Sequence, residues 1–289
     1  MKSEWKKVLL QWVCPIIVLF FILVLLFSRF SKSLNEGIAS NFERNMEYQV
    51  ELCATNLGQE FEKIHTVGKM ICSMVSSGTG QPGEVKELLN LAVEQTEVYE
   101  ALVFRPDGSA ILHDGRALLL NDANYYEWVS EATQFSYRYV SNDGITGTEA
   151  VLMIVPAEGQ GQKIVMYYPI QKIRSMINMK DAFGNATFTT LLDEKGRVIV
   201  TTDETSSFFK TRDFWNNADK PYLARATVAG QKAGDGQTGC LAFTVDGEER
   251  TVVYAPVHKW CLAAGVHQSY VNYMEQRQAK KLMMKLGWI

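Results

Sequence analysis

Leu102-Val-Phe-Arg-Pro-Asp-Gly108-Ser-Ala-Ile-Leu112 and Thr190-Leu-Leu-Asp-Glu-Lys-Gly196-Arg-Val-Ile-Val200 are the two stretches that decide the fold. Each runs from an apolar segment through a polar turn containing glycine and back into an apolar segment, which is hairpin chemistry. They match at an offset of 88, turn glycine on turn glycine. Val252-Val-Tyr-Ala-Pro256 resembles Leu152-Met-Ile-Val-Pro156 in the same way, and another apolar run follows each. The chain therefore carries two copies of one unit of about 80 residues, made of a hairpin, a helical linker and three strands. In the first copy the linker is 121–133 and the strands are 135–140, 149–156 and 163–170, with Asp143-Gly144 and Glu158-Gly-Gln-Gly161 as turns. In the second the strands are 239–245, 250–256 and 260–266, with Asp246-Gly247 as a hairpin turn. Residues 173–179 read as a short helix joining the copies.

Ahead of the repeat lie two helical patterns. Val8 to Phe27 holds twenty residues without a charge, long enough at about 1.5 Å per residue to cross the roughly 30 Å hydrocarbon layer of a bilayer. The run is too long for a cleaved leader, and Ser28-Arg29-Phe30-Ser31-Lys32 has no small-residue exit. Leu34, Ile38, Phe42, Met46, Val50, Cys53, Leu57, Phe61, Ile64, Val67, Ile71 and Met74 then step by threes and fours with polar residues between them. This stripe predicts one helix of about 45 residues, ended by Gly78-Thr-Gly-Gln-Pro-Gly83 and followed by a shorter helix over 84–97 with Val85, Leu88, Leu89 and Ala92 inward.

Composition limits the alternatives. The 289 residues have a formal net charge of −3 and a pI near 5.9, and no Lys/Arg run suggests a nucleic-acid surface. The five cysteines have no metal spacing; they read as free, buried thiols, with a Cys240–Cys261 disulfide as the alternative in an oxidising compartment. Neither His65, His113, His258 nor His267 has a Glu or Cys at ligand spacing, so no metal or cofactor is expected. The glycines between 230 and 239 fit a loop, and Asp193, Glu194, Asp203 and Glu204 a solvated hairpin surface. No nucleophile elbow or phosphate loop is present, and no catalytic residue is assigned.

The hairpin at 191–199 and the strand pair Tyr254-Ala-Pro256 to Trp260-Cys-Leu-Ala-Ala-Gly265-Val resemble the double Cache sensor domains of bacterial transmembrane receptors. That resemblance covers residues 33–276 and implies an α+β fold: an N-terminal transmembrane helix, a long stalk helix and two tandem PAS-like antiparallel five-stranded sheets. The expected divisions are a cytoplasmic 1–7, a membrane helix 8–28, a stalk 29–77, a membrane-distal module 84–180, a membrane-proximal module 181–267 and a returning helix 268–289. It also implies an extracytoplasmic small-molecule sensor in the plasma membrane, dimeric through its stalk, feeding a kinase, cyclase or methyl-accepting domain beyond residue 289. Lys280-Lys281-Leu-Met-Met-Lys285-Leu-Gly-Trp288-Ile289 reads as the approach to a second span, and hence as the end of a fragment.

By position in that family, the ligand lies between the distal sheet and the segment crossing it. Tyr125, Tyr126 and Trp128 fall on the lid, and Tyr137, Tyr139, Ser141, Asp143 and Thr148 on the floor or rim; aromatic walls bury an organic molecule while hydroxyls and a carboxylate orient it. The amino-acid-binding subset has an Arg where Ala123 stands and an Asp near Pro169, so an α-amino acid is not expected. Arg105, Arg138 and Lys163 are anion candidates whose plainer reading is solvated strand residues. From another functional class, a pilin-type filament subunit also joins an apolar helix to a long helix and a sheet, but Glu4 precedes the apolar run and no Gly-Phe processing site is present. A membrane-tethered adhesin or enzyme is the third reading.

Overall fold

A computed structural model describes residues 2–77, 82–120, 123–157, 161–184, 187–203 and 213–285. The apolar run and the stalk stripe are one element: α1 (Lys2–Ser77) is a single helix of 76 residues, about 110 Å long. Its Ile16 to Phe27 side chains are 47% to 65% exposed. This is the one helix long and apolar enough to cross a membrane among the described residues, with a mean hydropathy of 2.1 over its most apolar window. Farther along, Met46, Val50, Leu57, Phe61, Ile64 and Ile71 are fully buried. The stripe drifts by one residue at its end, where Val75 is buried and Met74 is 42% exposed, because 3.6 residues per turn slowly rotates any fixed spacing. The glycine-rich terminator is outside the described residues up to Gln81; α2 (Pro82–Gln95) starts on a proline, whose missing N–H costs nothing in a first turn.

Two antiparallel sheets follow. The first comprises β1 (Glu100–Phe104), β2 (Ser109–Leu112), β3 (Ala117–Leu119), β4 (Ser136–Val140), β5 (Ala150–Pro156) and β6 (Lys163–Pro169) in the order β3-β2-β1-β6-β5-β4. It has six strands rather than five; the extra β3, paired Ala110 to Leu118, lies at an edge and is too short to stand out in the sequence. Between β3 and β4 stands α3 (Tyr126–Glu131), and α4 (Ile170–Met176) and α5 (Lys180–Phe183) lead to the second sheet. That sheet comprises β7 (Thr187–Leu192), β8 (Val198–Thr201), β9 (Gly239–Val245), β10 (Glu248–Val257) and β11 (Trp260–His267), in the order β8-β7-β11-β10-β9. A helix α6 (Lys220–Gly234) covers its outer face, and α7 (Gln268–Lys285) returns along α1. The stretch read as a glycine-rich loop is therefore divided, since residues 230–234 form the last turn of α6.

The repeat persists down to hydrogen bonds. In the first hairpin the Arg105 N–H donates to Ser109 O at 2.9 Å and the Gly108 N–H to Arg105 O at 3.0 Å; 88 residues on, Asp193 bonds to Arg197 and Gly196 to Asp193, both at 2.9 Å. Both turn glycines have positive φ, +82° and +74°, which glycine alone adopts without cost.

Each sheet is buried on both faces, which is why its central strands read as continuous apolar runs. Val151, Met153 and Val155 of β5 and Met166 and Tyr168 of β6 face α1, as do Val253, Ala255 and Val257 of β10 and Leu262 and Ala264 of β11, so one core runs under the helix through both modules. The outer faces have separate cores: Leu102, Phe104, Leu152 and Tyr167 beneath α3, and Phe188, Phe214, Trp215, Phe243 and Tyr254 beneath α6. At Gly68 the helix comes so close to the first sheet that an added Cβ would lie 2.6 Å from Val155 and 2.7 Å from Met166. Cys53, Cys72, Cys240 and Cys261 are free. The alternative disulfide is ruled out by pairing: β10 separates the two strands, with Cys240 opposite Val253 and Cys261 opposite Pro256; Cys240 is exposed rather than buried.

Candidate ligand site

The eight residues read as lid and floor occupy three places. On the lid face, Tyr125 is 2% exposed; its hydroxyl donates to Asp143 O and lies 3.1 Å from the Tyr167 hydroxyl. Tyr126 packs edge-on to Phe104 at 5.8 Å, and half-buried Trp128 lies under the Arg138 guanidinium at 6.0 Å. With Val129, Leu102 and Leu152 they fill the space between α3 and the sheet. Lys163, expected in solvent, is only 7% exposed: its ammonium donates to Ser130 O and lies 5.9 Å from the Phe104 ring, and burial lowers its pKa.

Tyr137 and Tyr139 point the other way, because alternate residues of β4 face opposite sides of the sheet. The Tyr137 ring lies 5.1 Å from Phe61 of α1 and 4.6 Å from Trp260 of the second module. Its hydroxyl is 3.4 Å from Val257 O and accepts the Lys259 N–H at 3.2 Å. Tyr139 donates to Glu149 Oε1 at 3.0 Å.

Ser141, Asp143 and Thr148 belong to the turn after β4. Ser141 is exposed, whereas Asp143 is fully buried and saturated. Its Oδ1 accepts the N–H groups of Ile145, Thr146 and Gly147 at 2.9, 2.7 and 2.8 Å, and its Oδ2 accepts the Tyr99 and Thr146 hydroxyls and, at 3.4 Å, that of Thr148. Burial pushes its pKa up, but hydrogen bonds led by those from Thr146 and Tyr99 outweigh this and hold it at about 2. Asp143 thus builds the turn; its lone pairs are already spent on the protein.

The open space lies next to these residues, between the modules. A cleft of about 640 Å³ is bounded on one side by Tyr125, Trp128, Tyr137, Arg138, Tyr139 and Ser141, and on the other by the β7–β8 turn with Lys259 and Trp260. Five of the eight sequence candidates line it. The second wall was not anticipated, since the 191–199 hairpin and the strand pair at 254–266 were read as fold signatures rather than site residues. A signal was available: the Asp-Glu-Lys-Gly-Arg turn is far more charged than a connection requires. Asp193, expected in solvent, has a side chain only 12% exposed, pairs with Arg197 and accepts the Lys195 and Arg197 N–H groups; Glu194 accepts the Trp260 indole N–H at 3.2 Å. Glu204 lies outside the described residues. Among them no three His, Cys, Asp or Glu residues are grouped to hold a metal.

Two helix-backed antiparallel sheets in tandem on one long helix are the fold that the double Cache resemblance implied, and solved ligand-binding domains of chemoreceptors share it. The ligand-binding domain of the Pseudomonas fluorescens chemoreceptor CtaA, solved with L-isoleucine, superposes with a TM-score of 0.62 over 83% of this chain and 98% of its own, at 12% identity. That of the Pseudomonas aeruginosa amino acid chemoreceptor PctB, solved with L-Arg, gives 0.62 over 80% and 97%, at 14% identity. The sensory domain of the Campylobacter jejuni chemoreceptor Tlp3, with isoleucine bound, gives 0.54 over 81% and 97%, at 9% identity. No family model matches the sequence, and no curated protein does.

Proposed function

We propose that this chain is the extracytoplasmic sensing part of a membrane receptor, anchored through Val8–Phe27 with residues 1–7 in the cytoplasm. The observation that carries the reading is α1: one unbroken helix joins a solvent-facing apolar segment to the core shared by both sheets. The floor of the cleft rests on it, because Phe61 touches both Tyr137 and Trp260. A small molecule that shifts the modules therefore acts on the helix directly, and a population shift between two arrangements is the natural currency of such a device. A second copy is expected along α1, where Tyr48 and Leu52 are 60% and 43% exposed. Catalysis has no part in this reading. The filament alternative joins the helix to a sheet, whereas the described residues form two in tandem.

The test is a thermal-shift screen of the whole chain in detergent against a small-molecule library. A specific binder raises the melting temperature in proportion to the logarithm of its concentration, by mass action. If no compound produced such a shift, the tethered adhesin would become the better reading.

A further inference from the structure

We propose that the inter-module cleft binds an organic carboxylate with a flat, unsaturated body, held between Arg138 of the first module and Lys259 of the second. The proposal rests on the sensor reading above and specifies its ligand. Charge is the first argument. Four cations and two carboxylates line the cleft, and both carboxylates are engaged, Asp193 by Arg197 and Glu194 by the Trp260 indole. Arg138, Lys195 and Lys259 reach no carboxylate within salt-bridge distance among the described residues, so the cleft keeps a positive excess that an anion would neutralise.

Shape and surface are the second. Five aromatic residues contribute to the walls, and the volume of about 640 Å³ suits a small organic molecule. Both gripping cations are already seated on rings: Arg138 lies 6.0 Å over Trp128, and the Lys259 ammonium 4.7 Å over Tyr137. Tyr125, Tyr137 and Trp260 are 2%, 4% and 2% exposed and close the base of the cleft, so the half-buried rings of Trp128 and Tyr139 are the surfaces against which an unsaturated body would pack. The planar guanidinium fork of Arg138 matches a carboxylate in two-point contact.

The third argument is location. The first sheet supplies one cation and the β10–β11 turn of the second supplies the other, and both line the same cleft, so an anion seated there meets both modules. The lid face of the first module is packed with its own side chains, and its Asp143 is saturated by protein donors.

The experiment is calorimetric titration of the full chain in detergent with benzoate, 4-hydroxybenzoate, phenylacetate and indole-3-acetate, each beside its neutral amide, with L-isoleucine and inorganic phosphate as controls. The expected result is that at least one carboxylate binds, that its amide does not, and that Arg138→Gln and Lys259→Gln each weaken binding by about ten- to a hundredfold. Arg105→Gln, remote from the cleft, leaves it unchanged. Both cleft cations are exposed, so the variants should melt with the wild type in the absence of ligand. The proposal is overturned if none of the four carboxylates binds, if amides bind equally well, if phosphate alone binds, or if either substitution has no effect. A library compound that stabilises the wild type and both variants alike would keep the sensor reading while removing this site; failure of every library compound would remove both.

Discussion

The carboxylate of Asp143 holds the turn after β4 together. In the sequence it is a carboxylate beside an aromatic lid; in the fold it organises a turn with three backbone N–H groups and three hydroxyls. Asp143→Asn keeps the shape but replaces one acceptor oxygen with a donor facing donors, at an expected cost of about 1–3 kcal/mol in a denaturant titration. The pH dependence follows from the sign of the shift. The folded pKa of about 2 lies below the roughly 3.9 of an unperturbed Asp, so the stabilisation is complete above about pH 4 and is lost as the pH falls towards 2. The gap between wild type and Asp143→Asn should therefore close over that interval; a gap still undiminished at pH 2 would refute the assignment.

Among the elements, α1 and the paired hairpins were legible in the sequence because each is a strong local pattern. The apolar step of three and four residues persists from Leu34 to Met74, and the turn glycines align at a fixed offset. What was not legible is non-local. The edge strand β3 has only three residues, and which face of β4 each tyrosine presents depends on the register Tyr137 to Met153, which no short window contains. The second wall of the cleft exists only because two modules 88 residues apart are set side by side. Continuity of α1 gives a prediction at this scale. Thr55 is exposed in mid-helix, so Thr55→Pro removes no core contact but breaks a backbone bond and crowds the preceding turn, costing about 3 kcal/mol, whereas Thr55→Ala should be nearly neutral. The proline variant should melt about 10 °C lower in a thermal scan; unchanged melting would mean that the helix is already interrupted there.

For the whole molecule the decisive feature is the single core beneath α1, which draws side chains from both sheets. It predicts one cooperative unfolding transition by calorimetry, although the chain is a tandem repeat. Tyr137→Ala, which deletes the ring packed on both Phe61 and Trp260, should cost about 3–5 kcal/mol and lower that transition without splitting it, since the helix still joins the halves. Two well-separated wild-type transitions would show that the modules are stabilised independently.

The close seat at Gly68 carries one more consequence. No side chain fits between backbone and sheet there, so the helix cannot advance by a residue along its axis without driving a bulkier neighbour into Val155 and Met166. A shaft notched near its far end behaves as a lever with a fulcrum. Any displacement of α1 at Phe61, seven residues before the notch, is then constrained to a sideways swing whose amplitude grows with distance from Gly68 towards the N-terminal apolar segment.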